Sequence, residues 1–265
     1  MEKTLASWQK GLCWIGGVAI FLAVWQVVSL WIGEYRLPAV PTVASAICTD
    51  LTYSPILEMQ GGGSNGILHH LLYSFQRTLL GSGIGVVLGV MCGLLIAFER
   101  RARLFLEAPI ETMRMIPPLA AIPFFLMWFG PTETAQLAMV AFYCFFMMVI
   151  NTVSAVANIS PICTDYARTL GASKARVYWT VILPAIVPEL IGGIRVVIGV
   201  SWGIQIVTEL MGAQQGMGQV FSMAIPMQAL DLIIASILWI TLLAATTDLL
   251  FVVVARAFTR WMPKI

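Results

Sequence analysis

The chain has 265 residues, 59% of them hydrophobic and only 11% charged, with a mean hydropathy of +0.89. A soluble domain carries about a quarter charged residues, so this composition excludes one and indicates an integral membrane protein. A net charge of +2 gives no argument for nucleic acid, and five scattered cysteines without a CxxC imply no metal site and read as free, buried thiols.

A helix crossing ~30 Å of hydrocarbon needs roughly 20 mostly apolar residues. Six segments qualify: 12–32, 74–98, 109–129, 135–157, 185–208 and 232–255. The expected fold is therefore all-α, with six transmembrane helices. Lys3 and Lys10 precede the first run as in a signal peptide. That run outlasts a signal core, however, and no small-residue cleavage site follows it cleanly, so it reads as a retained span. With the N-terminus inside, the inner segments hold Lys3, Lys10, Arg100, Arg101, Arg103, Arg168, Lys174, Arg176, Arg256, Arg260 and Lys264, eleven of the 15 basic residues. Such asymmetry places both termini and the 158–184 loop in the cytoplasm.

The first connection, 33–73, lies outside in this reading. Leu37-Pro38-Ala39-Val40-Pro41 should be extended, 42–52 a short surface helix, and Gly61-Gly62-Gly63-Ser64-Asn65-Gly66 a flexible tip. His69 and His70 are adjacent and so point to different helix faces, which favours a structural role over metal binding. In the second span Gly81, Gly85, Gly89 and Gly93 recur every fourth residue, the pattern that lets helix backbones approach closely in lipid. We read it as packing within the chain rather than a dimer seam. Gly199 and Gly203 suggest a second such contact.

The third span is interrupted at Pro117, Pro118 and Pro123, just past Arg114. Two adjacent prolines remove two backbone donors, and irregular backbone at membrane depth survives only against protein or a water-filled cavity. The 114–123 stretch is thus either a pathway lining or a simple kink. Ionisable residues within spans are costly and should face partners or water. They are Arg77, Arg114, Glu189, Arg195 and Asp248, with Glu209 at an outer end. We expect Arg195 to pair with Asp248 or Glu189 near an inner gate. The connection 209–231 is polar but uncharged in its middle, and Gly216-Met217-Gly218 marks a turn there.

The cytoplasmic insert has a definite grammar. Ser160 and Pro161 read as N-cap and first helical position, and Asp165 suits the positive end of the helix dipole. Gly171 ends that helix, and Ser173 caps a second that runs to about Leu183 before Pro184. Ala167, Gly171 and Ala172 leave one side of the turn shallow enough to fit a groove. Local chemistry alone leaves a docking loop and a plain solvated loop equally open.

This stretch resembles the EAA loop of ABC importer permeases: Glu-Ala-Ala, three residues, Gly, nine residues, Ile, one residue, Leu-Pro. Here Asp165, Tyr166, Ala167, Gly171, Val181, Leu183 and Pro184 stand in register, departing mildly at Glu→Asp and Ala→Tyr. Over about residues 67–255 the chain is similar to permeases of taurine, alkanesulfonate and nitrate/bicarbonate importers. The shared landmarks are Arg114 with Ile116-Pro117-Pro118, Pro123, Trp128-Phe129-Gly130, Leu170-Gly171-Ala172-Ser173, Leu183-Pro184, and Trp202 to Glu209 with Gly216-Met217-Gly218. The first 66 residues match loosely, so they are set apart as an N-terminal helix and outer loop before a five-helix core at 67–265.

The resemblance implies a type I importer permease fold in a bacterial inner membrane, in contact with membrane lipid. It implies a pairing with a second permease copy, two copies of a separate ATPase, and an extracytoplasmic binding protein. Coupling would fall to Asp165, Ala167, Arg168, Gly171, Ala172, Ser173 and Lys174. The pathway or gate would involve Arg114, Pro117, Pro118, Pro123, Glu189, Arg195, Glu209 and Asp248. ATP and Mg belong to the partner, because this chain has no G-x-x-x-x-G-K-[ST] phosphate loop and no cofactor is expected on it. The expected cargo is a small anion or zwitterion, with a nitrogenous vitamin precursor as the alternative. An ion-coupled secondary transporter would need an inverted repeat with paired broken helices, and an enzyme would need a cluster of nucleophiles or acids. Neither is evident.

Overall fold

The computed structural model describes residues 7–63 and 65–259, and every regular element among them is helical. Lys3, Arg260 and Lys264 of the charge count, and Ser64 of the glycine tip, lie outside the described residues. Contacts divide the chain into two units, Met1–His70 with Val220–Ile240 and Leu71–Gln219 with Thr241–Ile265.

In the first unit α1 (Ser7–Ile32) is apolar on every face and only 6% of its span window is buried. Its last turns hold the chain that follows. Trp25 Nε1 donates to the Pro38 carbonyl at 3.0 Å, Ser29 Oγ to the Leu37 carbonyl at 2.8 Å, and Gln26 Oε1 accepts from the Val40 N–H at 3.0 Å. Helix α2 (Val40–Thr49) begins at Val40 with Pro41 in its first turn, where a missing N–H costs nothing, so the extended piece is shorter than expected. The short α3 (Pro55–Met59) follows. The glycine tip is packed at two places rather than free. A Cβ on Gly66 would lie 2.4 Å from the Asp50 carbonyl oxygen, and one on Gly62 3.0 Å from that of Leu57. Gly66 N–H donates to the Thr52 carbonyl at 2.9 Å. His70 is buried, its ring edge-on to His69 at 5.8 Å.

In the second unit α7 (Glu133–Ala157) is the central post, half of its span window buried. Beside it runs α4 (Ile67–Phe98), and the glycine ladder faces it register for register. Cβ atoms on Gly81, Gly85, Gly89 and Gly93 would come within 2.9, 2.6, 2.7 and 2.6 Å of Val140, Cys144 (with Ala141), Met148 (with Phe145) and Thr152 respectively. The ladder is packing within the chain. Gly199 and Gly203 are different: nothing among the described residues of this chain lies within 4 Å of a Cβ built at either, so the second close contact expected there does not form within it.

The 109–129 segment is not one straight span. Helix α5 (Arg100–Met113) and α6 (Pro118–Phe129) meet at a bend of 102°. At 1.5 Å per residue the 12 residues of α6 reach only about 18 Å, and α5 carries five charged side chains through Glu111. Pro117 and Pro118 supply no N–H, and Tyr143 Oη instead donates to the free Ile116 carbonyl at 3.0 Å. Ala121, Ile122 and Phe125 of α6 pack on Met139, Tyr143 and Val197.

Nor does the second loop helix stop at Leu183. Helix α8 (Pro161–Thr169), α9 (Lys174–Val177), a π turn (Tyr178–Ile182) and α10 (Leu183–Leu210) succeed one another, with Lys174–Leu210 continuous. The Leu183 N–H donates to the Tyr178 carbonyl five residues back, and this wider turn directly precedes Pro184, whose ring would strain a normal one. Helices α11 (Met217–Ala224) and α12 (Leu230–Phe258) complete the order. All five cysteines are free, but only Cys144 is buried; Cys13, Cys48 and Cys163 are exposed, because one chain offers too few neighbours to cover α1, α2 and α8.

Candidate functional site

The insert folds as the helix, turn, helix its sequence spells. Gly171 adopts φ +83°, a conformation costly for side-chain-bearing residues. Its N–H donates to the Arg168 carbonyl at 2.9 Å, and the Ala172 N–H reaches the Ala167 carbonyl at 3.1 Å, closing α8. Ser173 Oγ accepts from the Arg176 N–H at 3.3 Å. Ser160 precedes α8, but its hydroxyl makes no cap bond; its carbonyl accepts from the Cys163 N–H instead. No residue of α8 is buried. Ala167 and Ala172 face inward, against the cluster of Ala155, Val177, Ile182 and Ile186. The outward face is apolar: Ile162, Tyr166 and Leu170, four residues apart, are 77%, 67% and 72% exposed. Asp165 and Arg168 approach to 3.7 Å on the surface, a pair worth little.

Arg114, at the bend, donates from Nε to Glu111 at 2.7 Å on its own helix, and both side chains are half exposed. Arg195 of α10 forms a two-pronged bond with Asp248 of α12, at 2.8 and 2.7 Å. Of the two carboxylates expected to serve Arg195, it takes Asp248; Glu189 accepts instead from Asn158 Nδ2 at 2.7 Å.

At the far end of the unit Glu209 is enclosed, 1% exposed. Ser74 Oγ donates to its carboxylate at 2.7 Å, Gln205 Nε2 at 2.8 Å and the Gly218 N–H at 3.0 Å. Arg77 stands 3.7 Å away, and itself donates to the Gln215 carbonyl and to Glu133, both at 2.6 Å. The Met217 N–H donates to Ser74 Oγ at 2.8 Å. Glycine is required here: a Cβ on Gly216 or Gly218 would fall 2.5 or 2.4 Å from Glu209 atoms. The carboxylate thus draws residues 215–218 down onto α4 and α10 and presents no free surface.

Comparison with known proteins gives this geometry a context. The family model for the binding-protein-dependent transport system inner membrane component matches residues 85–264. This chain belongs to that family. It is 30% identical over 255 residues to the putative aliphatic sulfonates transport permease protein SsuC of Bacillus subtilis (strain 168), covering 96% of this chain and 88% of the relative. To the taurine transport system permease protein TauC of Escherichia coli (strain K12) it is 30% identical over 249 residues, covering 93% and 88%. To the nitrate import permease protein NrtB of Synechococcus elongatus it is 29% identical over 199 residues, covering 75% and 71%. Among solved structures, an inward-facing MetNI methionine ABC transporter superposes with TM-score 0.61 at 19% identity, over 72% of this chain and 94% of that one. An amino acid ABC transporter superposes with TM-score 0.58 at 20% identity, over 73% and 92%.

The fold is therefore that of a type I ABC importer permease, and the chain is the transmembrane permease subunit of such an importer. Within this binding-protein-dependent permease, reading the sequence located the loop and its glycine. It missed the stripe Ile162–Tyr166–Leu170, although the four-residue spacing was legible, because the smallest residues of the loop drew attention to the opposite face. Ser74 and Gln205 were also missed; a lone serine or glutamine in an apolar run carries no signal until its partner is known.

Proposed function

We propose that the 161–176 loop is the docking element for a separate ATPase subunit, and that the chain forms, with a second copy of itself, the pathway for a small anionic or zwitterionic solute. One observation carries the docking reading: α8 keeps an apolar stripe of Ile162, Tyr166 and Leu170 turned away from its own chain, on a turn fixed by Gly171. An exposed apolar stripe on a polar loop marks a surface for a partner's groove. Asp165, Arg168, Ser173 and Lys174 would rim the contact, while Ala167 and Ala172 hold the loop against the spans. ATP and Mg reside on the partner, which closes on ATP and draws the two loops together. The spans then rock the cavity open toward an extracytoplasmic binding protein, and hydrolysis resets them.

Both termini and the loop are assigned to the cytoplasm by the distribution of Lys and Arg. The Arg195–Asp248 pair would join α10 to α12 as a latch beside the inner gate, with Glu189 and Asn158 bracing it. The solute class rests on the sulfonate, taurine and nitrate relatives. Arg114 and Arg195 each hold a carboxylate, so neither offers a bare positive charge, and selectivity falls to the binding protein.

The deciding experiment purifies the intact chain from its own membranes and follows the co-purifying ATPase for wild type, Leu170→Asp and Gly171→Asp. Both variants should insert normally, lose most of the ATPase and abolish uptake. Uptake coupled to ATP at normal rates in either would refute the assignment. The co-purified binding protein, screened for thermal stabilisation by taurine, alkanesulfonates, nitrate, bicarbonate and small nitrogenous compounds, would name the cargo.

A further inference from the structure

A groove of about 570 Å³ runs along the second unit between the loop-end half of α4 and the start of α10. Val90 and Leu94 form one wall, and Trp179, Leu183, Val187 and Leu190 form the other. The π turn and Pro184 shape this wall, and Trp179 stands 72% exposed at its edge. Toward the loop, Phe98 stacks on Tyr178 with ring centroids 4.3 Å apart, marking where the two helices close.

Three cations flank that closure along the chain. Arg100 and Arg101 open α5 two and three residues past Phe98, and Arg176 lies three residues before Trp179, hence on the same helix face. All three are exposed, and among the described residues no carboxylate lies within ion-pair distance of them. An apolar trough lying along spans, edged by a tryptophan and topped by unpaired arginines, has the layout of a lipid: a chain below, a phosphate above.

We propose that this groove binds one acyl chain of an anionic phospholipid whose phosphate sits against Arg100, Arg101 and Arg176. Charge complementarity selects this occupant over an apolar helix from another copy, which would bring no anion to the three cations. A zwitterionic phospholipid would fill the trough equally well, but its own ammonium would oppose the arginines. The test reads lipid retention by the chain alone, so it does not depend on which solute is carried or on ATPase docking.

The test is native mass spectrometry of the full-length chain, delipidated in detergent and offered phosphatidylglycerol or phosphatidylcholine with identical acyl chains. Wild type should retain phosphatidylglycerol about tenfold more than phosphatidylcholine. Val187→Trp, which fills the trough, should lower retention of both lipids. Arg100→Gln/Arg101→Gln/Arg176→Gln should erase only the preference for phosphatidylglycerol; its exposed side chains leave folding intact, so it decides the matter even if Val187→Trp misfolds. Equal retention of the two lipids by wild type would overturn the proposal. So would an undiminished preference in the triple variant, or loss of self-association with unchanged lipid retention in Val187→Trp, which would assign the trough to a second copy.

Discussion

Glu209 spends both carboxylate oxygens on its own chain, taking Ser74, Gln205 and the Gly218 N–H while Arg77 stands at 3.7 Å. Breaking a buried charge cluster by removing one partner costs about 3–5 kcal/mol, because the partner left behind stays desolvated. Glu209→Gln should therefore lower the unfolding midpoint of the detergent-solubilised chain markedly. Ser74→Ala, which removes a donor to the carboxylate and the acceptor of the Met217 N–H, should cost about 1–3 kcal/mol. Equal midpoints for Glu209→Gln and wild type would show that the clasp contributes nothing. Arg195 is the contrasting residue: its bond to Asp248 is two-pronged yet half exposed in the single chain. A carboxylate swap, Arg195→Asp with Asp248→Arg, should restore uptake that each single change abolishes. Failure of the swap would leave the latch without support.

Between helices, backbone spacing decides what is tolerated. A methyl at Gly85 would lie 2.6 Å from the Ala141 carbonyl oxygen and the Cys144 Cβ, whereas nothing lies within 4 Å of one at Gly83. Gly85→Ala should cost about 1–3 kcal/mol by overpacking, and Gly83→Ala should be neutral or stabilising, since Ala is the better helix former. Thermal unfolding of the two variants side by side checks this, and similar midpoints would mean α4 and α7 part easily. At the bend between α5 and α6, Tyr143 gives the Ile116 carbonyl a bond that the proline pair cannot supply. Tyr143→Phe removes the donor to the Ile116 carbonyl and should cost about 1 kcal/mol.

Across the whole molecule, the cysteines report which end faces which compartment. Cys163 on α8 and Cys48 on α2 are both exposed and belong to opposite ends in the proposed topology. A membrane-impermeant maleimide should label Cys163 only in inverted vesicles and Cys48 only in right-side-out ones. Labelling of Cys163 from the outside would reverse the orientation and with it the ATPase docking. The glycine ladder, the loop turn and the spans are local, repeated signals, so they could be read from residue order. The bend of 102° could not. Prolines announce that a helix breaks, but the direction of the next segment depends on what Ala121, Ile122 and Phe125 find to pack against.

Residue order by itself determined the membrane class, the five unbroken spans, the charge asymmetry and the helix–Gly–helix loop. Each follows from nearest-neighbour chemistry: hydropathy over 20 residues, a four-residue period, or one position that demands positive φ. Tertiary structure alone decided which carboxylate Arg195 would hold, which face α8 would turn outward, and that Glu209 would be enclosed rather than exposed to a pathway. Those outcomes join residues far apart in the chain, Ser74 with Glu209 and Arg77 with Gln215. A polar group in lipid must find a partner wherever the packing of whole helices brings one.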